Sequence, residues 1–500
     1  MTEDTIFALA TPAGRSGVAV FRISGLRAAE VLQTLTARAL PAARVAVKRR
    51  FYSSVASTPS PQPLSPVGEG RLSSAGGRGA SPKLGDVVAA RSVETPSPLA
   101  GEGRGEGEAT EDSRIAIDDG LVIYFAAPAS FTGEDVVELH THGGPAIIAA
   151  MAAALQQLGL RLAEPGEFTR RAFDHGKLDL VEIEGLADLI AAETEAQRRQ
   201  ALRQAEGELS KLYEDWRGAL ISALARIEAA IDFPDEDLPD GLMLLIDETM
   251  QVLSENIEQH LADGHRGEML REGLSVAILG APNVGKSSLL NRLAGRDAAI
   301  VSARAGTTRD VIEVKLDLDG YPVLIADTAG LRESPDEIEQ EGVRRALARA
   351  EHADLKLIVF DGATWPDFDP TVAGQIDAEA IVVLNKAELA KRPWDAVIAG
   401  RKLLPVSAAT GAGIEALVTA LTDKAAKALS PGAQPALTRL RHRAALERCL
   451  GALKRGLQAP VVELKAEDLR VSVQALGRIT GRVEVDDVLD LIFREFCIGK

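Results

Sequence analysis

The chain is 500 residues long and carries 73 acidic against 56 basic side chains, for a net charge of −17. The length predicts two to four domains, and the negative charge argues against broad electrostatic binding to nucleic acid, so any contact with RNA has to be local or assisted. Two cysteines are too few for a disulfide framework, which fits a reducing cytoplasm.

The first 130 residues are predicted to form an α+β domain. Apolar runs at 6–9, 18–23 and 120–125 predict strands, and the stretch 28–40 has helical spacing. The start of the chain is acidic and lacks a long apolar segment, so we expect no signal peptide.

The segment 55–113 has a different composition. It is rich in Pro, Gly, Ser and Glu, and it contains a near-repeat, PLSPVGEG at 63–70 and PLAGEG at 98–103. Such a segment cannot bury enough apolar surface to order itself. We therefore predict a disordered insertion in the N-terminal domain, without a role in the chemistry.

Helical patterns occupy most of the remaining chain outside one central block. They cover 186–231, 241–263, 436–457, 466–479 and 486–496. The longest apolar run, 145–155, is too short to span a bilayer, so we expect no integral membrane association. The tail that follows the central block is too short for an independent core. We therefore predict one helical domain, formed by 131–270 and 426–500, which the central block 271–425 interrupts.

A phosphate-binding loop opens the interrupting block. GAPNVGKS at 280–287 matches G-x-x-x-x-G-K-S, with a strand pattern at 274–279 before it and a helical pattern at 288–293 after it. Backbone N–H groups at a helix N-terminus face the phosphates, Lys286 supplies charge, and the Ser287 hydroxyl can bind magnesium. The predicted nucleotide contacts are Asn283, Val284, Gly285, Lys286, Ser287 and Ser288.

Four further motifs lie downstream. GTTR at 306–309 lies in a polar loop, where a threonine can complete the magnesium shell only while the γ-phosphate is present. DTAG at 327–330, NKAE at 385–388 and SAA at 407–409 each follow a strand pattern, where open α/β sheets bind ligands. In this order the motifs resemble the signatures of GTPases of the translation-factor class. The predicted contacts are Asp327, Thr328, Ala329, Gly330, Asn385, Lys386, Glu388, Ser407, Ala408 and Ala409.

Two positions depart from that class. Its fourth signature has Asp where this chain has Glu388, and one methylene of misfit to guanine corresponds to about 1–3 kcal/mol. Leu331 stands where many small GTPases have the Gln that orients the attacking water. Hydrolysis therefore needs another water-positioning group and another positive charge. The acidic stretch 333–341 offers carboxylates, although a solvated helix start is the simpler interpretation of that stretch.

Distinctive motifs also lie outside the central block. They are TPAGRSGVAVFRISG at 11–25, FTGEDVVELHTHGGP at 131–145, PGEFTRRAF at 165–173, GKLDL at 176–180 and the terminal CIGK at 497–500. With these motifs, nearly the whole chain apart from the insertion resembles the MnmE (TrmE) family of tRNA-modification GTPases.

The resemblance implies a multidomain fold that combines α/β and all-α parts. An N-terminal α+β folate-binding domain precedes a central helical domain, into which an α/β P-loop GTPase domain is inserted. It also implies a homodimer, formed through the N-terminal domains, that joins a flavin-dependent partner of the MnmG (GidA) type in a heterotetramer. The family adds an aminomethyl or carboxymethylaminomethyl group to C5 of the wobble uridine of certain tRNAs. The implied cofactors are GTP or GDP, Mg²⁺, K⁺ and 5-formyltetrahydrofolate or a related folate.

Four cationic or acidic residues match the folate contacts of the family: Arg22, Glu138, Lys177 and Lys500. Cations can bind the carboxylates of folate, and a carboxylate can pair with the pterin edge. Without the family, an ordinary surface salt bridge would be the simpler interpretation of Arg22 or Lys177. Cys497 matches the terminal cysteine of the family and is a candidate catalytic residue, whose reactivity would depend on a lowered thiol pKa.

The resemblance also supplies the missing positive charge, because the family is activated by potassium and by dimerisation of its GTPase domains. A monovalent cation beside the β- and γ-phosphates can offset developing charge, as an arginine finger does. The implied potassium ligands are Asn283, Ser302, Arg304 (through its carbonyl) and Thr307. The whole implied loop around nucleotide and ion is Ser302, Ala303, Arg304, Ala305, Gly306, Thr307 and Thr308.

The same resemblance assigns the remaining catalytic parts. Glu339 matches the carboxylate that positions the attacking water through intervening contacts, which makes it a candidate catalytic residue. Ser287 and Thr308 are the expected magnesium ligands.

Other functions fit parts of the sequence. A GTP-dependent switch in ribosome assembly or RNA binding, without group transfer, would need the central block but not the folate motifs or the terminal CIGK. A folate carrier with a decayed GTPase would not need an intact phosphate loop. The full motif set therefore favours a GTP hydrolase involved in tRNA uridine modification.

Overall fold

The structure, a computed structural model, does not describe every residue. It describes residues 4–12, 14–53, 114–233, 241–263, 265–296, 300, 313–327, 352–391, 397–430, 435–483, 492–493, 496 and 499, with only the backbone at 313 and 327. The predicted insertion and most of the helical pattern 486–496 lie outside these ranges. The chain divides into two compact units, Met1–Glu164 with Gly499 and Pro165–Ile498 with Lys500.

The first unit is a six-stranded sheet with two helices. In chain order its elements are β1 (Ile6–Leu9), β2 (Ser16–Ser24), α1 (Ala28–Thr36), β3 (Val47–Ser53), β4 (Ile115–Phe125), β5 (Val136–Gly143), α2 (Pro145–Gln157) and β6 (Arg161–Leu162). The strand order is β3-β4-β5-β2-β1-β6, and the described pairs are antiparallel except β1 with β6.

Alternation along β2 and β5 separates a core face from an open face. Phe21 and Ile23 on β2 are buried together with Val137 and Leu139 on β5. Because successive side chains of a strand point to opposite faces, Arg22 lies on the other face. Its register partner is Glu138 on β5, which also faces away from the core.

Helices form most of the second unit outside its sheet. The first six are α3 (Glu167–Asp174), α4 (Leu180–Ala191), α5 (Glu195–Ala205), α6 (Glu208–Asp232), α7 (Leu242–Leu261) and α8 (Arg266–Glu272). The single helical pattern expected over 186–231 is thus divided among three helices. Thr194 and Gln197 form a capping box that starts α5, and Gly207 has a φ of 84° before α6, a backbone conformation that favours glycine.

A seven-stranded sheet follows α8. Its elements are β7 (Leu274–Leu279), α9 (Lys286–Ala294), β8 (Glu313–Leu318), β9 (Tyr321–Asp327), β10 (Leu355–Asp361), α10 (Pro370–Ala373), β11 (Ile381–Asn385), β12 (Val397–Ile398), β13 (Arg401–Pro405) and α11 (Ile414–Leu429). The strand order is β12-β13-β11-β10-β7-β9-β8, with parallel pairing in the centre and antiparallel strands at both edges. Two more helices, α12 (Leu440–Leu457) and α13 (Val462–Thr480), then pack with α6 and α7 around one apolar core.

Both chain connections between the helices and the inserted sheet bind one carboxylate on α4. Asp188 Oδ1 accepts hydrogen bonds from Arg271 Nε, at 3.2 Å, and from Arg439 Nη2, at 2.8 Å. The connections also touch, since a Cβ placed on Gly267 would lie 2.0 Å from the backbone oxygen of Leu437. The inserted block therefore enters and leaves the helices at one place.

One turn before Asp188, α4 carries a second anchoring carboxylate. Glu184 accepts hydrogen bonds from Arg441 Nε and Nη2, at 2.6 and 2.7 Å, and from His442 Nε2, at 2.9 Å. Burial on its own raises the pKa of Glu184, but His442 and Arg441 outweigh it and the pKa lies below its usual value. Burial also lowers the pKa of His442 to about 4, so the imidazole is neutral at pH 7 and donates its Nε2 proton to the carboxylate.

These elements confirm the predicted class, in which α/β parts and an all-α part share one chain. The strand pattern at 274–279 is confirmed residue for residue by β7. Within the described ranges, none of the helices has the length and apolarity needed to cross a membrane.

Candidate functional site

The phosphate-binding loop joins the central strand β7 to α9. Gly285 has a φ of 93°, and a Cβ there would lie 2.4 Å from Asn385 Nδ2, so glycine is required on both conformational and steric grounds. Lys286, Ser287 and Ser288 form the first turn of α9, where the positive end of the helix dipole favours an anion. The Lys286 ammonium donates to the Gly280 and Ala281 carbonyls, at 3.0 and 3.1 Å.

The side chain of Asn385, at the end of β11, connects the phosphate-binding loop with the 407–409 loop. It is buried, its amide nitrogen donates to the Val284 carbonyl at 2.8 Å, and its oxygen accepts from the Ala408 backbone N–H at 3.0 Å. One residue of the fourth motif thus holds the phosphate loop and the 407–409 loop in fixed positions. Within that last loop the Ser407 hydroxyl accepts from the Thr410 N–H at 3.1 Å.

Lys386 makes a second tie from the same motif to the phosphate loop. Its ammonium donates to the Asn283 carbonyl at 2.8 Å and to Asp361 Oδ2 at 2.7 Å. Asn283 is exposed and has a φ of 61°, which asparagine adopts more readily than most residues. Glu388 is exposed on the short 3₁₀ turn Ala387–Leu389 that follows.

Several predicted site residues lie outside the described residues, and their assignments stay predictions. These are Ser302, Ala303, Arg304, Ala305, Gly306, Thr307, Thr308, Thr328, Ala329, Gly330, Glu339, Cys497 and Lys500. Asp327 is the last residue of β9, with only its backbone described.

A second candidate site lies on the open face of the first sheet. Arg22 on β2 and Glu138 on β5 are register partners, and Arg22 donates to Glu138 Oε1 from Nη2 at 2.9 Å and from Nε at 3.2 Å. About a quarter of the Arg22 side chain and a fifth of the Glu138 side chain are exposed, at 25% and 19%. Arg22 Nη1 also donates to the Gly499 carbonyl at 3.2 Å, which brings part of the terminal motif beside this pair.

Two histidines to which the sequence motifs assign no role extend this face. Glu138, His140 and His142 alternate along β5, so they share the face that points away from the core. His140 Nε2 lies 3.3 Å from Glu138 Oε2, and His142 Nδ1 lies 2.8 Å from Asp118 Oδ1. The i, i+2, i+4 spacing of polar residues in a strand was the available signal.

The other residues matched to folate contacts differ in placement. Lys177 belongs to the second unit and is exposed after α3. The described side chains contain no group of three or more His, Cys, Asp or Glu arranged to hold a metal ion. Cys449 is buried in α12, and burial raises the pKa of its thiol to about 12, which makes it unreactive at neutral pH.

Two family models match the chain. The model described as "MnmE helical domain" matches residues 180–497, and the model described as "GTP-binding protein TrmE N-terminus" matches residues 89–177. The first match alone covers more than half of the chain, and it includes the sheet inserted between the helices.

Full-length relatives carry a common name. The "tRNA modification GTPase MnmE" of Paramagnetospirillum magneticum is 49% identical over 498 residues, and that of Rhodospirillum rubrum is 51% identical over 505 residues, each with 100% of both chains covered. Among solved structures, Era in complex with MgGDPNP and part of 16S ribosomal RNA is 26% identical, over 36% of this chain and 66% of that one, at a TM-score of 0.24. A TM-score this low carries no conclusion.

Proposed function

The chain belongs to the MnmE family of tRNA modification GTPases, and on that premise we propose how its two candidate sites work. As its sequence predicts, it is a GTP hydrolase, and it binds GTP and GDP. Our proposal is that potassium activates this hydrolysis. A further part is that the protein, with a flavin-dependent partner of the MnmG (GidA) type, modifies C5 of the wobble uridine of certain tRNAs with a folate-derived carbon.

The folate part of the proposal rests on the ion pair of Arg22 and Glu138, which is partly exposed to solvent. A cation and a carboxylate that face solvent side by side can bind a ligand with its own carboxylates and a hydrogen-bonding edge. In this assignment Glu138 pairs with the pterin edge, Arg22 and Lys177 bind anionic groups, and Lys500 adds a further cation. The contact of Arg22 with Gly499 supports a role for the terminal motif at this site. Cys497, two residues earlier, is proposed as the catalytic thiol.

The phosphate loop supports the potassium part. Lys386 holds the Asn283 carbonyl from one side, while the Asn283 side chain is exposed beside the first turn of α9. An amide oxygen there is a suitable ligand for a monovalent cation next to the β- and γ-phosphates, where the added charge stabilises the transition state. The proposed partners around the ion are Ser302, Thr307 and the Arg304 carbonyl.

The rest of the hydrolytic site is proposed on the same basis. Ser287 and Thr308 bind magnesium, with Asp327 close to the ion, and Glu339 positions the attacking water in place of the glutamine that Leu331 lacks. Asn385 and Lys386 order the base-binding loop, and Glu388 reads the guanine edge.

The proposed assembly is a homodimer that joins the flavin-dependent partner in a heterotetramer and acts on tRNA in the cytoplasm. In place of the boundary expected at residue 130, we propose that the folate-binding domain ends at residue 164, because β5 with Glu138 belongs to the sheet of the first unit. The proposed helical domain then continues to residue 270 and resumes at 426–500, and the proposed GTPase domain is 271–425.

Hydrolysis of GTP and ATP, each in potassium and in sodium, tests the nucleotide part of this proposal. We expect turnover that is selective for GTP and stimulated by potassium in the natural chain. Asn283→Gly removes the amide ligand and keeps the left-handed backbone available, so we expect it to abolish the stimulation by potassium and to preserve GDP binding.

A second variant separates the ligand from the backbone. Asn283→Ala removes the same amide but adds strain at a φ of 61°. We expect it to lose potassium stimulation like the glycine variant and, in addition, to bind GDP more weakly. Undiminished potassium stimulation in the glycine variant would remove Asn283 from the cation site.

A further inference from the structure

We propose that Asp361 is a positioning residue of the nucleotide site. It holds the Lys386 ammonium against the phosphate loop and thereby raises the affinity for guanine nucleotide. The consequence for potassium, drawn below, rests on the proposed role of Asn283 as a cation ligand.

The carboxylate of Asp361 is fixed by its place at the end of β10. Asp361 is the register partner of Asn385 on the parallel strand β11, so the ends of both strands meet at the ligand edge of the sheet. Its Oδ1 accepts from the Ala363 backbone N–H at 2.9 Å, which forms a tight turn after the strand. Its Oδ2 accepts from Lys386 Nζ at 2.7 Å. Each oxygen therefore has one defined partner.

Backbone packing holds the loop that carries Asp361 close to the loop that carries Lys386. The Gly362 N–H donates to the Asn385 carbonyl at 2.7 Å, and a Cβ on Gly362 would lie 2.3 Å from the Lys386 carbonyl oxygen. Lys386 has a φ of 57°, a backbone conformation that few non-glycine residues adopt. The loop after β10 is thus packed against the loop after β11, which keeps the backbones that carry Asp361 and Lys386 close together.

The lysine in turn connects two parts of the site. From one ammonium, Lys386 binds Asp361 and the carbonyl of Asn283 in the phosphate loop. A third of the Lys386 side chain is exposed, at 33%, against 15% for Asp361. A lysine at the rim of a site would otherwise move between many rotamers, and ordering it on binding weakens affinity. Asp361 removes that cost, because the ammonium is already in position before nucleotide arrives.

The charge of Asp361 also has a defined effect on the site. Loss of the carboxylate leaves the Lys386 charge unneutralised, which on its own attracts the anionic ligand, so the expected loss of affinity comes from the lost order of the lysine side chain. Since the same lysine holds the Asn283 carbonyl, loss of the pair also loosens the loop that bears the proposed cation ligand. The expected consequence is weaker binding of nucleotide and a higher potassium concentration for half-activation, with little change in the rate at saturation.

The test is Asp361→Asn in the full chain. Asparagine keeps an oxygen that accepts from the Ala363 N–H, so the turn survives, while an amide NH2 replaces the charged oxygen that accepts from Lys386 Nζ. We expect the dissociation constant for a fluorescent GDP analogue to rise about tenfold, and the half-activating potassium concentration to rise with it. The kcat at saturating GTP and potassium should stay within about twofold. Asp367→Asn is the matched control, because Asp361 and Asp367 both line one cavity of about 340 Å³, while Asp367 lies outside the described contacts of Lys386.

A double-mutant cycle decides whether Asp361 acts through Lys386. In a Lys386→Gln background, Asp361→Asn should have no further effect on GDP affinity. An unchanged GDP affinity in Asp361→Asn, an equal loss in Asp367→Asn, or an undiminished effect in the Lys386→Gln background would each overturn the proposal.

Two further measurements keep the causes apart. A merely structural role would lower kcat and the thermal midpoint together with affinity, whereas the proposal predicts weaker binding of nucleotide and of potassium with kcat and the thermal midpoint little changed. GDP affinity is measured in sodium, where potassium plays no part. A natural chain that shows no stimulation by potassium would thus overturn the proposed cation site and leave the test of Asp361 intact.

Discussion

Two glutamates in different units use the same partners under different conditions. Glu138 on β5 and Glu184 on α4 each bind one arginine and one histidine at short distance, and Glu184 has a second arginine, Arg439, at 4.0 Å. A fifth of the Glu138 side chain is exposed, at 19%, whereas only 2% of Glu184 is exposed. The set of side chains is therefore no guide to the role, and access to solvent is what separates a candidate ligand site from a structural anchor.

Burial changes the electrostatics around Glu184, which together with Arg441 and His442 is called the inner cluster below. A charge inside the protein is stable only while its partners remain, because an unpaired buried carboxylate has no water to solvate it. Glu184 satisfies this condition with a two-pronged contact from Arg441 and a donor from neutral His442. Glu138 can lose a partner at low cost because water replaces it, and the same property lets a ligand replace it.

The largest effect that would sharpen this contrast is the removal of each carboxylate. Glu184→Ala removes the buried carboxylate that binds the partly buried Arg441 and the fully buried His442, and we expect the free energy of unfolding around α4 to fall by about 3–5 kcal/mol. Glu138→Ala should lower the stability around β5 by about 0–1 kcal/mol. Hydrogen exchange followed by mass spectrometry measures both regions in one experiment. Equal losses at the two sites would contradict the comparison.

Acid should act on the inner cluster next. The pKa of His442 is about 4 in the folded chain against an ordinary value of 6.5, so between these values the unfolded state binds more protons than the folded state. Stability is then fully present above pH 6.5 and falls as pH drops towards 4, on the order of 3 kcal/mol in total. The lowered pKa of Glu184 extends the loss in the same direction below its ordinary value of 4.5.

Hydrogen exchange of α4 and α12 across pH 7 to 4 measures this loss. His442→Gln keeps a donor for Glu184 and removes the titrating group, so its stability should depend less on pH between 6.5 and 4. A variant with the same slope as the natural chain would show that other groups cause the pH dependence.

The smallest effect on stability, and the clearest effect on function, is expected at the partly exposed pair of Arg22 and Glu138. Arg22→Gln should leave the unfolding free energy around β2 within about 1 kcal/mol and weaken the binding of 5-formyltetrahydrofolate about 10- to 100-fold, as expected for a charged hydrogen bond. Calorimetry on the full chain measures the affinity. Arg50→Gln is the matched control, because Arg50 forms an exposed pair with Asp119 in the same sheet. Equal affinities in the natural chain and Arg22→Gln would remove Arg22 from the site.

The features that could be predicted from the sequence are those set by residues close together in the chain. The strand before the phosphate loop, the loop and the start of α9 follow from one continuous pattern. The break between α4 and α5 was missed, although Thr194 followed three residues later by Gln197 is a recognisable capping signal. Asp361 was also missed, although it stands at the end of an apolar strand as the other motifs do.

The anchors on α4 could not be predicted in this way. Glu184 and His442 are 258 positions apart in the chain, and no local pattern marks which buried carboxylate will meet which arginine. Pairing of this kind depends on how the helices pack after folding. The motifs that fall outside the described residues, including Thr308 and Glu339, stay predictions.

The contact between Gly267 and Leu437 has a consequence for the architecture of the gene product. The chain leaves the helices and returns to them at points that are in contact. The whole nucleotide-binding block is therefore inserted at a single position in the helical domain, which acts as its host. Closing that gap needs only a short turn, and loop closure over so small a distance costs little entropy. A block with adjacent ends can be gained, exchanged or removed as one module while the host keeps its own core.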